Sequence, residues 1–193
     1  MYLNIDAVIA KEVYKKPSKR STILERVYVL DPAINTKYVV AYRNRETGLA
    51  LLGIRGTDPS KPRDLITDLR MGIGQDLTKM KRFTDVEKEY YKFLNKYPHR
   101  NRIVGHSLGS NITQELARKD KYNIGMTDYV LFNKAHTPYM RNELENEYIK
   151  AYRIEKDPVS ILTTKGRTIK ARRDDDTLLD RHGVEQFIGR GRY

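Results

Sequence analysis

A five-residue motif between a short strand and a helix constrains the fold more than any other feature of the sequence. The motif is Gly105-His106-Ser107-Leu108-Gly109. The run Arg102–Val104 predicts a strand in front of it, and Ile112, Leu116 and Ala117 follow it at helical spacing. A serine between a strand and a helix, with a glycine two residues before it and another two residues after it, is typical of a nucleophile elbow.

The chemistry of Ser107 follows from this local geometry. A serine hydroxyl is a poor nucleophile until a tight turn presents its oxygen to a histidine. At Gly105 and Gly109 the missing side chains let the strand and the helix approach closely, and the first helical turn offers backbone N–H groups to a developing oxyanion. We therefore predict that Ser107 is the nucleophile of a hydrolase; an ordinary structural turn is the alternative interpretation.

Apolar periodicity predicts that helices and strands alternate along the rest of the chain. The predicted elements are a helix over residues 5–14, a hairpin of strands 38–42 and 49–54, a helix with a capping box of Thr84 and Glu87 that ends at Pro98, strands 128–132 and 151–154, and a polar helix over 141–148. This alternation is typical of a three-layer α/β fold with a mostly parallel central sheet. We expect one domain over residues 1–193, because the chain is of single-domain length.

The general base has to come from four histidines. His106 is adjacent to Ser107, and neighbouring side chains on a strained turn diverge, so we assign it a packing role. In hydrolases with a serine elbow of this kind, the acid and then the histidine follow the serine in the chain, which excludes His99. His182 is predicted as the base because it lies after all the predicted strands, and His136 remains the alternative.

Asp157 is the predicted acid because it follows the strand that ends at Ile154. Sheets of this class assemble their sites at the carboxyl ends of the strands. A turn or capping carboxylate is the alternative interpretation of Asp157. Four further aspartates lie nearer to His182 in the sequence, and their polar surroundings predict solvent-facing charges: Asp174, Asp175, Asp176 and Asp180.

The net charge of +12 predicts attraction to anionic surfaces, which include phospholipid head groups and nucleic acid. A dispersed, solvated charge that keeps the protein soluble is the simpler interpretation. Basic residues are somewhat concentrated near both ends of the chain, at Lys11, Lys15, Lys16, Lys19 and Arg20, and at Arg167, Lys170, Arg172, Arg173, Arg190 and Arg192.

The absence of cysteine excludes disulfides and thiolate metal sites, and it fits a cytoplasmic or other reducing compartment. The first residues lack a basic region followed by an apolar run, so we predict no signal peptide. No apolar run approaches the roughly 20 residues that span a bilayer, so no transmembrane helix is predicted.

Four segments of the sequence resemble the class 3 (fungal-type) lipases, a family of the α/β-hydrolase superfamily. That family pairs an Arg-Gly-Ser/Thr turn with GHSLG, followed by an Asp-Pro/Ile-Val segment and a histidine. This chain has Arg55-Gly56-Thr57, then Gly105–Gly109, then Asp157-Pro158-Val159, then His182, in the family's order. The resemblance covers residues 39–187 and implies an α/β-hydrolase fold and ester hydrolysis without a metal or cofactor.

By this resemblance, Thr57 supplies the first oxyanion donor and the backbone N–H of Leu108 supplies the second. Residues 64–69 are similar to the family's segment after the oxyanion turn, where a lid often lies, and structural roles are expected there for Asp64 and Asp68. The sequence departs from the family pattern at Ser110, where a second glycine is usual, and the stretch between Asp157 and His182 is shorter than in the family.

Two classes of function fit these patterns. The first is a carboxylic ester hydrolase, acting on lipid or small esters through Ser107, Asp157 and His182. The second is a catalytically silent protein with a hydrolase fold that binds nucleic acid or an anionic assembly, for instance in a virus particle or on a membrane. The ordered serine, aspartate and histidine favour the enzyme.

Overall fold

A mixed sheet forms the centre of the protein in the computed structural model, which describes residues 5–57, 77–120, 126–135, 147–157, 159–160, 166–173 and 176–189. Within these ranges the sheet has eight strands, in an order that follows the chain. They are β1 (Ile23–Leu24), β2 (Tyr28–Asn35), β3 (Val39–Asn44), β4 (Ala50–Ile54), β5 (Asn101–His106), β6 (Thr127–Phe132), β7 (Ile149–Ile154) and β8 (Arg167–Ile169).

The sheet changes from antiparallel to parallel pairing at β4. Strands β1 to β4 pair antiparallel, and the predicted hairpin is confirmed, with Ala41 opposite Leu52. Its loop is closed by Asn44, whose Oδ1 accepts the backbone N–H groups of Glu46 and Thr47 at 2.8 and 2.9 Å. Strands β4 to β8 pair in parallel, as predicted for an α/β protein.

Parallel pairing brings the carboxyl ends of β4, β5, β6 and β7 to one edge of the sheet. The residues that follow these ends include Thr57, Ser107, Asn133 and Asp157. Residues more than 50 positions apart in the sequence therefore meet at one edge. This edge is where open α/β sheets bind their ligands.

Helices cover both faces of the sheet, which gives three layers. The helices are α1 (Ile5–Glu12), α2 (Lys81–Lys96), α3 (Leu108–Lys119) and α4 (Leu178–His182), with 3-10 turns at Pro17–Lys19, Leu77–Lys79 and Val184–Phe187. Helix α1 packs on β4, β5 and the last 3-10 turn, whereas α2 and α3 pack on the opposite face. None of the described helices has the length and apolar composition that crossing a membrane requires.

Each face of the sheet has its own apolar core. The face under α2 and α3 buries Leu52, Ile103 and Leu131 against aromatic residues of α2, which include Phe83 and Phe93. The opposite face buries side chains of α1 and of the Val184–Phe187 turn against β5, β6 and β7. Every residue of β4 is buried, as expected for a strand that is covered on both faces.

Some predicted boundaries differ from the structure. The Thr84 capping box is wrong: α2 begins one turn earlier, at Lys81, and Met80 occupies the N-cap position without a side-chain hydrogen bond. The buried face of α2 already includes Phe83, one residue before Thr84, so Thr84 lies within the helix and not at its N-cap. The predicted helix over 141–148 lies largely outside the described residues, and Glu147 and Tyr148 form a turn before β7.

A buried polar cluster joins α2, β6 and the end of α3. The hydroxyl of Tyr90 donates to Asp120 Oδ2 at 2.9 Å, and the hydroxyl of Tyr129 lies 2.8 Å from that of Tyr90. Both tyrosine side chains are fully buried. Since a buried hydroxyl or carboxylate without a partner is costly, the cluster ties the helix layer to the sheet.

We predict that Tyr90→Phe lowers the free energy of unfolding by about 1–3 kcal/mol, because it removes one donor from Asp120 and one partner from Tyr129. Urea denaturation measures this change. Tyr91→Phe is the matched control, since Tyr91 is 41% exposed, and it should leave stability nearly unchanged. Equal stability of the two variants would contradict the prediction.

Candidate active site

Ser107 lies on a sharp turn between β5 and α3, as the sequence predicted. Its backbone has φ 56° and ψ −128°, a region that residues with a side chain rarely adopt. The backbone N–H of Ser107 donates to Phe132 O at 3.0 Å, and its carbonyl accepts the N–H of Ser110 at 2.9 Å. The turn is therefore held from both sides, by β6 and by the first turn of α3.

The predicted close approach of strand and helix at Gly105 is confirmed. A Cβ atom built on Gly105 would lie 2.6 Å from the carbonyl oxygen of Gly109 and 2.6 Å from the hydroxyl oxygen of Thr113. Non-bonded carbon and oxygen atoms do not approach this closely, so a side chain here would push α3 away from β5.

Asp157 and His182 form a buried hydrogen-bonded pair. Asp157 follows β7, and His182 is the last residue of α4. His182 Nδ1 lies 3.0 and 3.1 Å from the two carboxylate oxygens of Asp157, and both side chains are fully buried. With its Nδ1 at the carboxylate, the imidazole directs Nε2 away from Asp157, as the base of a serine hydrolase requires.

Further donors keep the Asp157 carboxylate ionised. Ser160 Oγ and the backbone N–H of Val159 also donate to it, the latter at 3.1 Å. Burial alone would raise the pKa of Asp157, but these hydrogen bonds and the one from His182 outweigh it and bring that pKa below its usual value. A buried carboxylate therefore faces the imidazole.

Among the described residues, the buried side-chain atoms without a hydrogen-bond partner include three at this edge of the sheet: Ser107 Oγ, His182 Nε2 and Thr57 Oγ1. Ser107 and His182 are consequently not hydrogen-bonded to each other. Hydrogen bonds between catalytic groups are often long or misaligned before a substrate binds. These three atoms belong to residues that the sequence singled out as nucleophile, base and oxyanion donor.

The turn after β4 packs directly against Ser107. A Cβ atom on Gly56 would lie 2.2 Å from the carbonyl oxygen of His106 and 3.0 Å from Ser107 Cβ. Thr57 is next in the chain and is buried. Leu108 begins α3, so its backbone N–H is among the first four N–H groups that have no partner within the helix.

Arg82 holds this turn, and sequence reasoning missed it. Its guanidinium donates to the carbonyls of Arg55 and Gly56, the latter at 2.9 Å. It also lies over the ring of Tyr38, 5.0 Å from the centroid. Arg82 is in the first turn of α2, where a basic residue looks like one more solvated charge in the sequence, and no local pattern marks it.

His106 does more than the packing predicted for it. Its Nε2 donates to the carbonyl of His182 at 2.8 Å, and its Nδ1 accepts the hydroxyl of Tyr14 at 2.8 Å. Burial, with the proximity of His182 as the next cause, lowers the pKa of His106 to about 3. The ring is therefore neutral, and this tautomer satisfies both of its nitrogens.

The other acidic residues and histidines that the sequence singled out do not all fall within the described ranges. Asp176 accepts from the side chain of Gln186 at 2.7 Å, and the exposed Asp180 accepts from the hydroxyl of Thr177 at 2.6 Å. Within the described residues, His99 is exposed and lies at the amino end of β5, opposite the site. His136, Asp64, Asp68, Asp174 and Asp175 lie outside the described residues.

We predict that His106 makes the protein less stable in mild acid. Its pKa is about 3 in the folded protein and about 6.5 when unfolded, so between these values the unfolded chain binds more protons. Stability should fall by about 1.4 kcal/mol per pH unit as pH drops through this window. His106→Gln keeps a donor for the carbonyl of His182 and removes the titration.

Urea denaturation between pH 6.5 and 4.5 compares the parent with His106→Gln. In this range Asp157 stays ionised, because its pKa lies below its usual value. The slope of stability against pH should be smaller in His106→Gln. Parallel slopes would show that His106 does not titrate in this way.

Comparisons with known proteins give matches in structure. Neither a family model nor a curated protein matches the sequence. Among the solved structures that match is the Lip2 lipase from Yarrowia lipolytica, with 16% identity and a TM-score of 0.51 over 86% of this chain and 76% of that chain. Another is a triacylglycerol lipase from Penicillium expansum, with 13% identity and a TM-score of 0.47 over 86% of this chain and 78% of that chain.

The likeness to the Yarrowia lipase concerns the backbone and shows the fold. A central sheet that is parallel from β4 onward, helices on both faces and a serine elbow after β5 are the features of that architecture. The chain has the α/β-hydrolase fold that the sequence predicted.

Proposed function

We propose that the protein is a serine hydrolase that cleaves carboxylic esters, with Ser107 as nucleophile, His182 as base and Asp157 as the acid that orients the base. The observation that carries this proposal is the buried Asp157–His182 hydrogen bond, which leaves His182 Nε2 without a partner. The ring of His182 lies 5.0 Å from that of His106, the neighbour of Ser107. A base and a serine on a strand-to-helix elbow, at one edge of the sheet, are the parts that acyl transfer needs.

In the proposed acylation step, Ser107 Oγ attacks the ester carbonyl while His182 Nε2 takes the hydroxyl proton. The resulting imidazolium is stabilised by the ionised Asp157 at Nδ1. The carbonyl oxygen becomes an oxyanion that Thr57 and the backbone N–H of Leu108 hold, and each such donor is worth about 3 kcal/mol at the transition state. Collapse of the intermediate breaks the ester C–O bond, and His182 returns the proton to the leaving alcohol.

Deacylation repeats the sequence with water as the nucleophile. His182 takes a proton from water, the hydroxide attacks the acyl-serine, and the proton then returns to Ser107 Oγ as the acid product leaves. Because His182 and Ser107 act as one unit in both steps, the loss of either should cost about as much as the loss of both.

We predict that Ser107→Ala lowers kcat by about a million-fold while the fold persists. Hydrolysis of a short-chain 4-nitrophenyl ester measures kcat, and circular dichroism monitors the fold. Labelling of the folded protein by a fluorophosphonate should occur at Ser107, and peptide mapping identifies the site. Ser18→Ala is the control, since Ser18 is exposed and lies in the 3-10 turn Pro17–Lys19, and it should keep most of the activity and the label.

We predict that His182→Ala matches the loss at Ser107, whereas His136→Ala is mild. The double variant of Ser107 and His182 should be little worse than either single variant, since the two residues act together. If His136→Ala instead abolishes activity and His182→Ala does not, the base is His136.

The substrates that we propose are lipid esters at anionic surfaces. The matching structure from Yarrowia lipolytica is named a lipase, which favours lipid esters. The net charge of +12 favours anionic lipid, because each basic side chain near such a surface adds about 1 kcal/mol to binding. Exposed basic residues of the described part of the chain include Lys16, Lys19, Arg167 and Arg173.

Binding of the Ser107→Ala variant to phosphatidylcholine vesicles should rise as phosphatidylglycerol is added. The same binding should fall as salt is raised, because charges more than about 10 Å apart are largely screened at 0.1 M. Equal binding to neutral and anionic vesicles at low salt would reject the proposal. Tight, salt-sensitive DNA binding without ester hydrolysis would favour the binding protein over the enzyme.

A further inference from the structure

The backbone carbonyl of His182 is held by two buried side chains. Asn133 Nδ2 donates to it at 2.9 Å, and His106 Nε2 donates to it at 2.8 Å. Asn133 Nδ2 also lies 3.2 Å from the carbonyl oxygen of Arg181. Helix α4 is only five residues long and ends at His182, so its last carbonyls need partners from elsewhere in the fold.

Asn133 is itself fixed on both sides of its amide. It follows β6 and is fully buried. Its Oδ1 accepts the backbone N–H of Ile154 at 2.9 Å, and its own backbone N–H donates to Tyr152 O at 2.8 Å. The partners settle which way the amide points, because a flipped amide would set its NH2 group against the N–H of Ile154 and its oxygen against two carbonyls.

One amide therefore joins the two segments that carry the acid and the base. Ile154 ends β7, and Asp157 lies three residues further on. Arg181 and His182 end α4. Through Asn133 the end of the acid-bearing strand and the end of the base-bearing helix share one rigid connection, close to the Asp157–His182 hydrogen bond.

The backbone conformation of Asn133 also indicates that its side-chain hydrogen bonds are needed at this position. Its φ of 42° lies in the left-handed region, where glycine is the residue with the least strain. Asparagine tolerates this region better than most residues with a side chain, but it is still strained there. An asparagine at this place provides hydrogen bonds that glycine cannot form.

We infer that Asn133 is a positioning residue, which holds the backbone of His182 so that the imidazole keeps its hydrogen bond to Asp157 and its approach to Ser107. This inference rests on the proposed function. Asn133 touches neither the reacting atoms nor the substrate in this scheme. It acts through the carbonyl of His182, and its loss should change the rate of the chemical step rather than substrate binding.

Two substitutions test the role of Asn133. Asn133→Asp keeps the size of the side chain and the acceptor for Ile154 N–H, but it replaces the donor with an oxygen that faces the carbonyls of Arg181 and His182. Asn133→Gly removes the whole amide and relieves the backbone strain. We therefore expect this variant to fold even if Asn133→Asp does not. Asn101→Asp is the matched control.

Asn101 is a suitable control because it is also a buried asparagine whose Nδ2 donates to a backbone carbonyl, that of Tyr97, at 2.8 Å. It lies at the start of β5, at the sheet edge opposite the site. The Asn101→Asp variant therefore measures the contribution of a buried amide to stability, without a change at the site.

We expect kcat to fall by about 100-fold in both Asn133 variants, with KM nearly unchanged, because small displacements of a catalytic group can cost that much. The rate of fluorophosphonate labelling at Ser107 should fall in parallel. The low-field proton resonance of the His182–Asp157 hydrogen bond should shift or broaden. Asn101→Asp should lower the melting temperature and leave kcat, labelling and this resonance as in the parent.

Asn133 variants that lose stability but keep the parent's kcat and resonance would overturn the inference, because the amide would then be structural only. A parent protein that neither hydrolyses esters nor takes the label would overturn the proposed function, and the positioning role with it. The parent's own activity therefore separates the two failures.

Discussion

The left-handed backbone of Ser107 is the constraint on which the rest of the site depends. A residue with a side chain remains in such a conformation only where its surroundings over-determine it. Here the N–H of Ser107 bonds to the end of β6, its carbonyl bonds to the first turn of α3, and Gly56 in the turn after β4 lies directly against it. One turn therefore sets the positions of three neighbouring elements relative to the serine. The turn after β4 and the serine cannot move apart without breaking these contacts.

Hydrogen bonds compensate the burial of the polar groups in the site. Asp157 is fully buried and accepts from His182, Ser160 and the backbone of Val159, which keeps its pKa low against the effect of burial. His106 is fully buried as well, and burial keeps it neutral with a partner at each nitrogen. The two histidines thus differ in role because of their contacts: one faces a carboxylate, and the other fixes a carbonyl.

Local patterns predicted the residues whose function depends on their immediate neighbours in the chain. The elbow at Ser107 needs only a strand, two glycines and a helix, all of which are contiguous. The end of a predicted strand selected Asp157, and chain order selected His182. These two residues do form a hydrogen bond. In contrast, Arg82, Asn133 and Tyr14 carry no motif, since each acts through backbone carbonyls or a ring that lie far away in the sequence.

The sequence by itself determined the fold class, the elbow and the order of the residues that we propose as the catalytic groups. Apolar periodicity and glycine spacing predict these features, because both are patterns among residues that lie close together in the sequence. Only the tertiary structure decided that His106 and Asn133 share the carbonyl of His182, and that Arg82 fixes the turn before Thr57. The physical reason is that backbone carbonyls are present at every residue, so a sequence cannot indicate which of them a distant side chain will reach. The parallel sheet makes that choice by bringing the ends of β4, β5, β6 and β7 to one edge.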